Sequence, residues 1–395
     1  MEAFEEQIQR AINQKIVSNA VFEARRKDPS YKYEKAFGKL SPEDGAQDIA
    51  QDTVFWIASC TKLLTSISAL QCVQRGLVTL DEPVSGILPE VASPDILTGF
   101  DPVTKEPILI KAKNPVTLRH LLTHTSGLAY PFSSKLITQW RNLHPLDGSR
   151  KRDVVDEYLL PLTFEPGTHG QWRYSVGLDW VGKLVERLNG GVRLGEYMEE
   201  NIFRPLGMKE ATFRPLQRKD LLDRICPTLE RQNDGAVKVE EPQSYPIIEP
   251  IDDTGGGGLY TTAVDYIKVL ESLLRDDGKL LDSASLEELF KPQLPDNEEL
   301  QTKLNRTGPG NVLNNFGEKQ VKLNHGLGGL VLVDGVPGHA GKGMLCWDGL
   351  PACFWWVDRE AGTCGFYGSQ LLPPPDRKTA ELFGQFRSAI YNFSN

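Results

Sequence analysis

Segments with strand patterns lie near both ends of this 395-residue chain, and strand alternation is weak in between. Near the start, residues 20–26 and 31–37 read as two strands joined by a turn at Asp28-Pro29-Ser30, which predicts a hairpin. Near the end, residues 329–333, 344–347, 352–357 and 363–368 also read as strands. We therefore expect one domain to be built from both termini.

Helical patterns flank and interrupt these strands. Apolar spacing predicts helices from residue 3 to about 15, from Ser59 to a stop at Gly76, and over 264–274 and 377–393. Between about 80 and 250, proline-bounded segments include helical patterns such as 178–188 and 194–202. The expected organisation is a discontinuous α/β domain of residues 1–78 and 252–395, interrupted by a mostly helical domain of residues 79–251, with the active site between them.

Composition excludes several classes of function. Lys and Arg total 44 against 53 Asp and Glu, a formal net charge of −9, so nucleic acid is not expected as a partner. No apolar run approaches the roughly 18 residues that would indicate a membrane span. The start, Met1-Glu2-Ala3-Phe4-Glu5-Glu6, lacks an apolar signal core, and the six cysteines show no CxxC spacing. We expect free thiols and a cytoplasmic location.

One short motif, Ser59-Cys60-Thr61-Lys62, places a lysine three residues after a serine. On a helix such residues face the same way, about 5–6 Å apart, so Lys62 can reach the Ser59 hydroxyl. The unpaired N–H groups at a helix start favour negative charge on the serine oxygen. A lysine desolvated there loses its proton more easily and can act as a base. The alternative for such a serine is an ordinary helix cap.

A Ser–Lys pair still needs a second proton carrier and an oxyanion hole. Tyr174, which precedes a predicted helix, can share the proton of Lys62 and pass it to a leaving oxygen. Gly349 would let a strand run closely past the nucleophile, and its neighbouring amides would then complete the hole. Taken singly, such a tyrosine usually packs in a core and such a glycine usually marks a turn.

The order of these motifs matches a known superfamily. S-x-x-K, a Y-S-x-G tyrosine and a W-x-G strand resemble the serine β-lactamases and D-alanyl peptidases, more closely the class C-like esterases, and most closely the fungal transesterases typified by the lovastatin-pathway acyltransferase. Supporting segments lie at 118–128, 164–174, 202–208 and 256–260. The resemblance implies a β-lactamase/transpeptidase-like α/β (α+β) fold, with an antiparallel sheet flanked by terminal helices plus a mostly helical domain.

The resemblance also implies roles for particular residues. Ser59 would be the nucleophile, with Lys62 and Tyr174 as coupled general bases and acids. The backbone amides of Ser59 and Leu350 would form the oxyanion hole. No cofactor is implied.

Two departures from the β-lactamase pattern bear on the substrate. Val176 stands where those enzymes have Asn, and Trp347-Asp348 replaces the Lys-Thr pair that holds a substrate carboxylate. An acidic side chain at this position opposes an anionic substrate. Asp348 therefore either touches a neutral or hydroxylated substrate or points to solvent.

Aromatic side chains stand beside each motif and predict a large apolar cleft suited to acyl chains or polycyclic alcohols. Core packing is the alternative, and we favour it for Trp355 and Trp356. The residues predicted to bind substrate are Tyr130, Phe132, Trp172, Trp347, Asp348 and Gly349.

No metal site is expected. His120 and His124 have the i, i+4 spacing of zinc ligands, but Leu121 occupies the place of a zinc protease's Glu and no third ligand suggests itself, so both histidines are expected to be structural. Cys60 falls on the apolar face of its helix, which predicts a buried, inert thiol.

The sequence thus predicts a serine acyl-enzyme acyltransferase, or transesterase, that moves an acyl group from a thioester or ester to an alcohol in fungal secondary metabolism. The expected partners are a small-molecule alcohol and an acyl thioester of coenzyme A or of an acyl carrier protein, with a polyketide synthase as its source. Three alternatives remain: a carboxylesterase of the same mechanism, a β-lactamase or D-alanyl peptidase, and a non-catalytic binding protein on this fold.

Overall fold

A computed structural model of the chain describes residues 1–92, 94–146, 153–241, 250–295, 298–306 and 321–392. Its helices are α1 Glu2–Asn13, α2 Thr61–Gln74, α3 Leu118–Leu122, α4 Lys135–Leu143, α5 Val154–Tyr158, α6 Gly177–Leu188, α7 Leu194–Met198, α8 Arg204–Leu206, α9 Lys219–Leu222, α10 Ala263–Arg275, α11 Ser283–Phe290, α12 Glu298–Arg306 and α13 Arg377–Asn392. Its strands are β1 Asn19–Arg26, β2 Lys32–Gly38, β3 Val54–Trp56, β4 Asp95–Phe100, β5 Pro107–Lys111, β6 Leu229–Arg231, β7 Val237–Val239, β8 Tyr260–Thr262, β9 Leu323–His325, β10 Leu330–Leu332, β11 Leu345–Gly349, β12 Cys353–Asp358, β13 Thr363–Gly368 and β14 Leu371–Leu372.

Strands from both ends of the chain share one antiparallel sheet of seven strands, in the order β2-β1-β13-β12-β11-β10-β9. The link between the two ends is the β1–β13 pair, in which Val21 lies opposite Gly368 and Arg26 opposite Thr363. This arrangement confirms the predicted antiparallel sheet with strands from both termini.

Helices cover both faces of this sheet. Phe366 of β13 packs against Tyr266 of α10, with ring centroids 5.0 Å apart. The next residue, Tyr367, packs against Phe383 of α13 at 6.3 Å. Because successive side chains of a strand point to opposite faces, α10 and α13 lie on opposite sides. All six residues of β13 are consequently buried.

The middle of the chain contains helices α3 to α9, as predicted, and a β4–β5 hairpin that the sequence analysis missed. Ile108, Leu109 and Ile110 of β5 are consecutive and all exposed, so this strand has no alternation to detect. Within the described residues, no helix is both long and apolar enough to cross a membrane. The division into two domains at residues 78 and 251 stays a prediction.

Candidate active site

Ser59 sits in a single helical turn, Ala58–Cys60, that leads directly into α2. Ala58 has φ +42°, a left-handed backbone that costs a non-glycine residue about 1–3 kcal/mol. The turn is held by its neighbours, since Ile57 N donates to Leu259 O at 3.1 Å and Trp56 Nε1 donates to Gly257 O at 2.7 Å. The strained turn presents a half-buried Ser59 at the start of a helix.

The three residues predicted to carry the chemistry lie together. Lys62 Nζ is 3.2 Å from Ser59 Oγ. Tyr174 OH donates a hydrogen bond to the same Ser59 oxygen at 2.6 Å. Lys62 Nζ also lies 4.7 Å from the centre of the Tyr174 ring. Ser59 Oγ is therefore within hydrogen-bonding distance of both other side chains, and a proton can pass between it and either of them without a large movement.

Lys62 is 4% exposed, and its Nζ has three hydrogen-bonding partners. Besides Ser59, Nζ bonds Gly256 O at 2.6 Å and Tyr130 OH at 3.3 Å. Burial lowers the pKa of Lys62 to about 8, although the negative charges of Asp179 and Asp348 act in the opposite direction. An amine with this pKa is partly neutral near pH 7, as a general base requires.

The pKa of Tyr174 shifts in the opposite direction from that of Lys62. Burial raises its pKa above the usual value for tyrosine, while the hydrogen bond to Ser59 acts to lower it. The backbone around it is fixed, because Arg173 N donates to His124 O at 3.0 Å and Ser133 Oγ donates to Tyr174 O at 2.7 Å. Tyr174 is therefore a protonated, well-positioned hydrogen-bond donor at the serine oxygen.

Strand β11 passes very close to the serine turn, and Gly349 makes this approach feasible. A Cβ built on Gly349 would lie 2.2 Å from Ile57 O and 3.2 Å from Cys60 Sγ. The following residue, Leu350, packs with Trp56, Ala58 and Tyr260. The peptide after Gly349 thus lies beside the Ser59 turn, which is the placement that a two-amide oxyanion hole needs.

Two of the predicted substrate-binding aromatics pack behind Tyr174. Trp172 and Trp347 are each 6% exposed, and their rings lie 6.5 Å and 5.6 Å from that of Tyr174. Phe132, in contrast, is 78% exposed and stacks on Tyr130 at 5.0 Å. Only Phe132 of these aromatics therefore offers an open apolar surface, and the binding roles stay predictions.

The cavities also differ from the expectation of a large apolar cleft. A cavity of about 10 Å³ lies beside Lys62, between His124, His325 and Trp347. A much larger cavity of about 990 Å³ lies elsewhere, lined by residues of α1, β2 and β7. Trp172 and Trp347 pack near His124, with ring centroids 5.8 Å and 6.4 Å from the imidazole.

Asp348 is half-buried on β11, opposite Phe354 of β12. Burial raises the pKa of Asp348 to about 6, and the charge of Lys62 acts to lower it. The charges of Asp348 and Lys62 therefore act on each other's pKa, and the substrate-binding role of Asp348 stays a prediction.

The histidines and Cys60 are placed as expected of structural residues. Thr117 and His120 cap α3 reciprocally, and His124 Nδ1 lies 3.0 Å from Ser175 Oγ. Among the described residues, no group of three or more His, Cys, Asp or Glu side chains could hold a metal ion. Cys60 is fully buried, and burial raises the pKa of its thiol. Trp355 and Trp356 are also fully buried, as predicted.

Two residues that touch the predicted centre were not singled out from the sequence. Asp179, in the first turn of α6, accepts a hydrogen bond from Tyr130 OH at 2.9 Å. Gly256 supplies the carbonyl nearest to Lys62. The only sequence signal for Asp179 was its place five residues after Tyr174, and an acidic residue is common in any first helical turn.

The fold and the serine, lysine and tyrosine cluster together define the class of β-lactamase/transpeptidase-like proteins. The beta-lactamase family profile matches residues 13–385, so the chain belongs to the beta-lactamase family.

Its relatives include transferases and hydrolases. The chain is 39% identical to the acyltransferase calJ of Penicillium decumbens, over 86% of this chain and 81% of the relative. It is 36% identical to a lovastatin esterase of Penicillium rubens, over 97% of this chain and 96% of the relative. The structure of unliganded simvastatin synthase (LovD) from Aspergillus terreus superposes with a TM-score of 0.91 at 33% identity, covering 99% of this chain and 97% of that one. These relatives confirm the predicted enzyme class, an acyltransferase or esterase.

Proposed function

We propose that this enzyme is an acyltransferase in which Ser59 carries the acyl group from a thioester to an alcohol. The observation that carries the proposal is the pair of hydrogen-bonding contacts at Ser59 Oγ, to Lys62 Nζ at 3.2 Å and to Tyr174 OH at 2.6 Å. A structural helix cap needs neither a desolvated lysine nor a buried tyrosine hydroxyl at its oxygen.

In the first step, Ser59 Oγ attacks the acyl carbonyl while its proton moves to neutral Lys62. The carbonyl oxygen takes the negative charge, and the amides of Ser59 and Leu350 stabilise it. As the tetrahedral intermediate collapses, the bond from carbon to the thiol sulfur breaks. Tyr174 donates its proton to the leaving sulfur and regains one from Lys62, which leaves an acyl ester on Ser59.

The second step repeats this chemistry in reverse. The acceptor alcohol enters where the thiol left, and the Tyr174–Lys62 pair removes its proton as its oxygen attacks the acyl ester. The bond to Ser59 Oγ breaks, and the serine oxygen recovers a proton from Lys62. Water in the place of the alcohol would give the free acid, so exclusion of water decides between transfer and hydrolysis.

The donor and acceptor are proposed by chemical class. Two relatives are named as an acyltransferase and as a lovastatin esterase. We propose an acyl thioester of coenzyme A or of an acyl carrier protein, made by a polyketide synthase, and a neutral or hydroxylated alcohol in fungal secondary metabolism. Asp348 supports a neutral acceptor because its carboxylate would repel an anion at the site.

The test is to incubate the enzyme with a short-chain acyl thioester and a panel of alcohols, and to separate the products. The proposal predicts an ester for at least one alcohol, and no product with Ser59→Ala. Ser68→Ala serves as the control in the same helix, because the Ser68 hydroxyl bonds the helix carbonyl of Leu64 at 2.9 Å and therefore has a structural role. Free acid as the sole product with every alcohol would refute acyl transfer.

A carboxylesterase is the second candidate. The observation that favours it is the lovastatin esterase, which matches nearly the whole length of this chain. The two functions share the acyl-enzyme and differ only in its acceptor. Product analysis therefore distinguishes them directly, since the esterase releases acid even when alcohol is abundant.

We further propose that the enzyme acts in the cytoplasm. All six cysteines are buried and free, as expected for a protein that folds in a reducing compartment. Fractionation of the producing cells would place the enzyme in the cytosol, and its recovery from the medium would contradict this.

A further inference from the structure

Asp179 lies behind the catalytic lysine and has no part in the mechanism above. It is 2% exposed, in the first turn of α6, five residues after Tyr174. One carboxylate oxygen, Oδ2, accepts a hydrogen bond from Tyr130 OH at 2.9 Å. The other, Oδ1, accepts a hydrogen bond from Gly256 N at 2.9 Å. Tyr130 and Gly256 are also the two groups that bond Lys62 in addition to Ser59.

We propose that Asp179 is a positioning residue that aims the lone pair of Lys62 at Ser59, by holding Tyr130 and Gly256 in place. The inference rests on the proposed role of Lys62 as the base. Asp179 can perform this role without contacting the substrate.

The hydrogens on Lys62 determine where its lone pair points. A neutral amine has two N–H donors and one lone pair, and Nζ has three neighbours within hydrogen-bonding distance. The carbonyl of Gly256 can only accept. Tyr130 has a single hydroxyl proton, which it donates in a hydrogen bond to Asp179. Toward Lys62 the Tyr130 oxygen can therefore only accept a hydrogen bond. Both N–H groups are thus committed, and the lone pair remains for the Ser59 hydroxyl.

Gly256 is anchored on both sides. Its N–H, which belongs to the 255–256 peptide, bonds Asp179, and its C=O, which belongs to the 256–257 peptide, bonds Lys62, so rotation of either peptide would break one of these bonds. The packing admits no side chain, because a Cβ on Gly256 would lie 2.4 Å from Asp179 Oδ2 and 2.5 Å from Tyr130 OH. Position 256 therefore requires a glycine, because Asp179 and Tyr130 approach it so closely.

Asp179 also contributes charge. Its carboxylate raises the proton affinity of Lys62 against the larger, opposite effect of burial. The other titratable groups that face Lys62 come from several elements: Asp348 from β11, Cys60 from the serine turn, His124 from the loop after α3, and the hydroxyls of Tyr130 and Tyr174.

The test is Asp179→Asn in the full chain. The amide keeps an acceptor for Gly256 N but presents N–H to Tyr130, whose proton then turns to Lys62 and competes with Ser59 for the lone pair. We expect kcat to fall about 10- to 100-fold with KM within about twofold, since general-base catalysis is impaired and binding is not. The acid limb of the kcat/KM profile should move to lower pH, because the charge that raises the pKa of Lys62 is gone.

Asp265→Asn is the matched control. Asp265 is also buried near a helix start, where Oδ2 accepts hydrogen bonds from Lys209 N and Glu210 N, both at 2.7 Å, and Oδ1 pairs with Lys268 Nζ at 2.7 Å. None of these three partners belongs to the predicted site. This variant should keep both kcat and the pH profile of the parent enzyme.

Tyr130→Phe provides a second route, because it removes one of the two groups through which Asp179 acts. It should also lower kcat, and adding Asp179→Asn to it should lower kcat by a smaller factor than the same change does in the parent enzyme. The proposal would be overturned if folded Asp179→Asn had the parental kcat and an unshifted kcat/KM profile against pH. Parental kcat in Tyr130→Phe would overturn it as well. If Ser59→Ala stays active, the proposed function fails; if it is inactive while these variants behave like the parent, only the role of Asp179 fails.

Discussion

Replacing Gly349 with alanine is expected to disable the oxyanion hole while leaving Ser59, Lys62 and Tyr174 in place. The added Cβ would lie 2.2 Å from Ile57 O, whereas carbon–oxygen contacts in proteins begin at about 3.3 Å. Relief of this overlap requires β11 and the serine turn to separate by about 1 Å. Loss of one oxyanion donor lowers kcat by about 10²- to 10³-fold, and a misplacement of 1 Å has a similar cost.

The assay is the steady-state hydrolysis of a p-nitrophenyl ester, with thermal unfolding measured on the same samples. We expect the fall in kcat together with a loss of about 1–3 kcal/mol of stability from overpacking. Gly99→Ala is the control, because Gly99 also lies in a strand but a Cβ there meets no atom within 4 Å. A folded Gly349→Ala enzyme with parental kcat would refute the assignment of the Leu350 amide to the oxyanion hole.

Two further predictions concern the proton carriers. Because only neutral Lys62 can accept the serine proton, kcat/KM should rise with pH; with a pKa of about 8 the neutral fraction grows from about 1% at pH 6 to about 90% at pH 9. A profile that is flat over this range would contradict the role of Lys62 as base. Tyr174→Phe should lower kcat by about 10²- to 10⁴-fold, since it removes the proton donor at the leaving group, and its thermal stability should change far less. If Tyr174→Phe keeps the parental kcat, another group must donate the proton to the leaving group.

Contacts within one helix were the most predictable part of the site. Ser59 and Lys62 are three residues apart, and helical geometry alone brings them together. The terminal strands were also predictable, because β13 and its neighbours show clear turns and apolar runs. In the structure, β1 pairs with β13 across almost the whole length of the chain.

Features that depend on distant packing were not predictable from one sequence. Asp179 meets Lys62 only because the start of α6 packs beside α2, and an acidic residue in a first helical turn has no distinctive pattern. Gly256 lies in the 256–260 segment that supports the family resemblance, but its carbonyl acquires a partner only in three dimensions. Trp172 and Trp347 lie beside the motifs, yet local sequence does not distinguish a tryptophan that packs against Tyr174 from one that lines a substrate cleft.

The most direct measurement is the mass of the protein after brief mixing with an activated short-chain ester or thioester, followed by peptide mapping. We expect the protein mass to increase by one acyl group. The added group should be located on the peptide that contains Ser59 and should be absent from Ser59→Ala. An acyl group on any other residue, or unchanged turnover in Ser59→Ala, would contradict the central claim that Ser59 carries the acyl group.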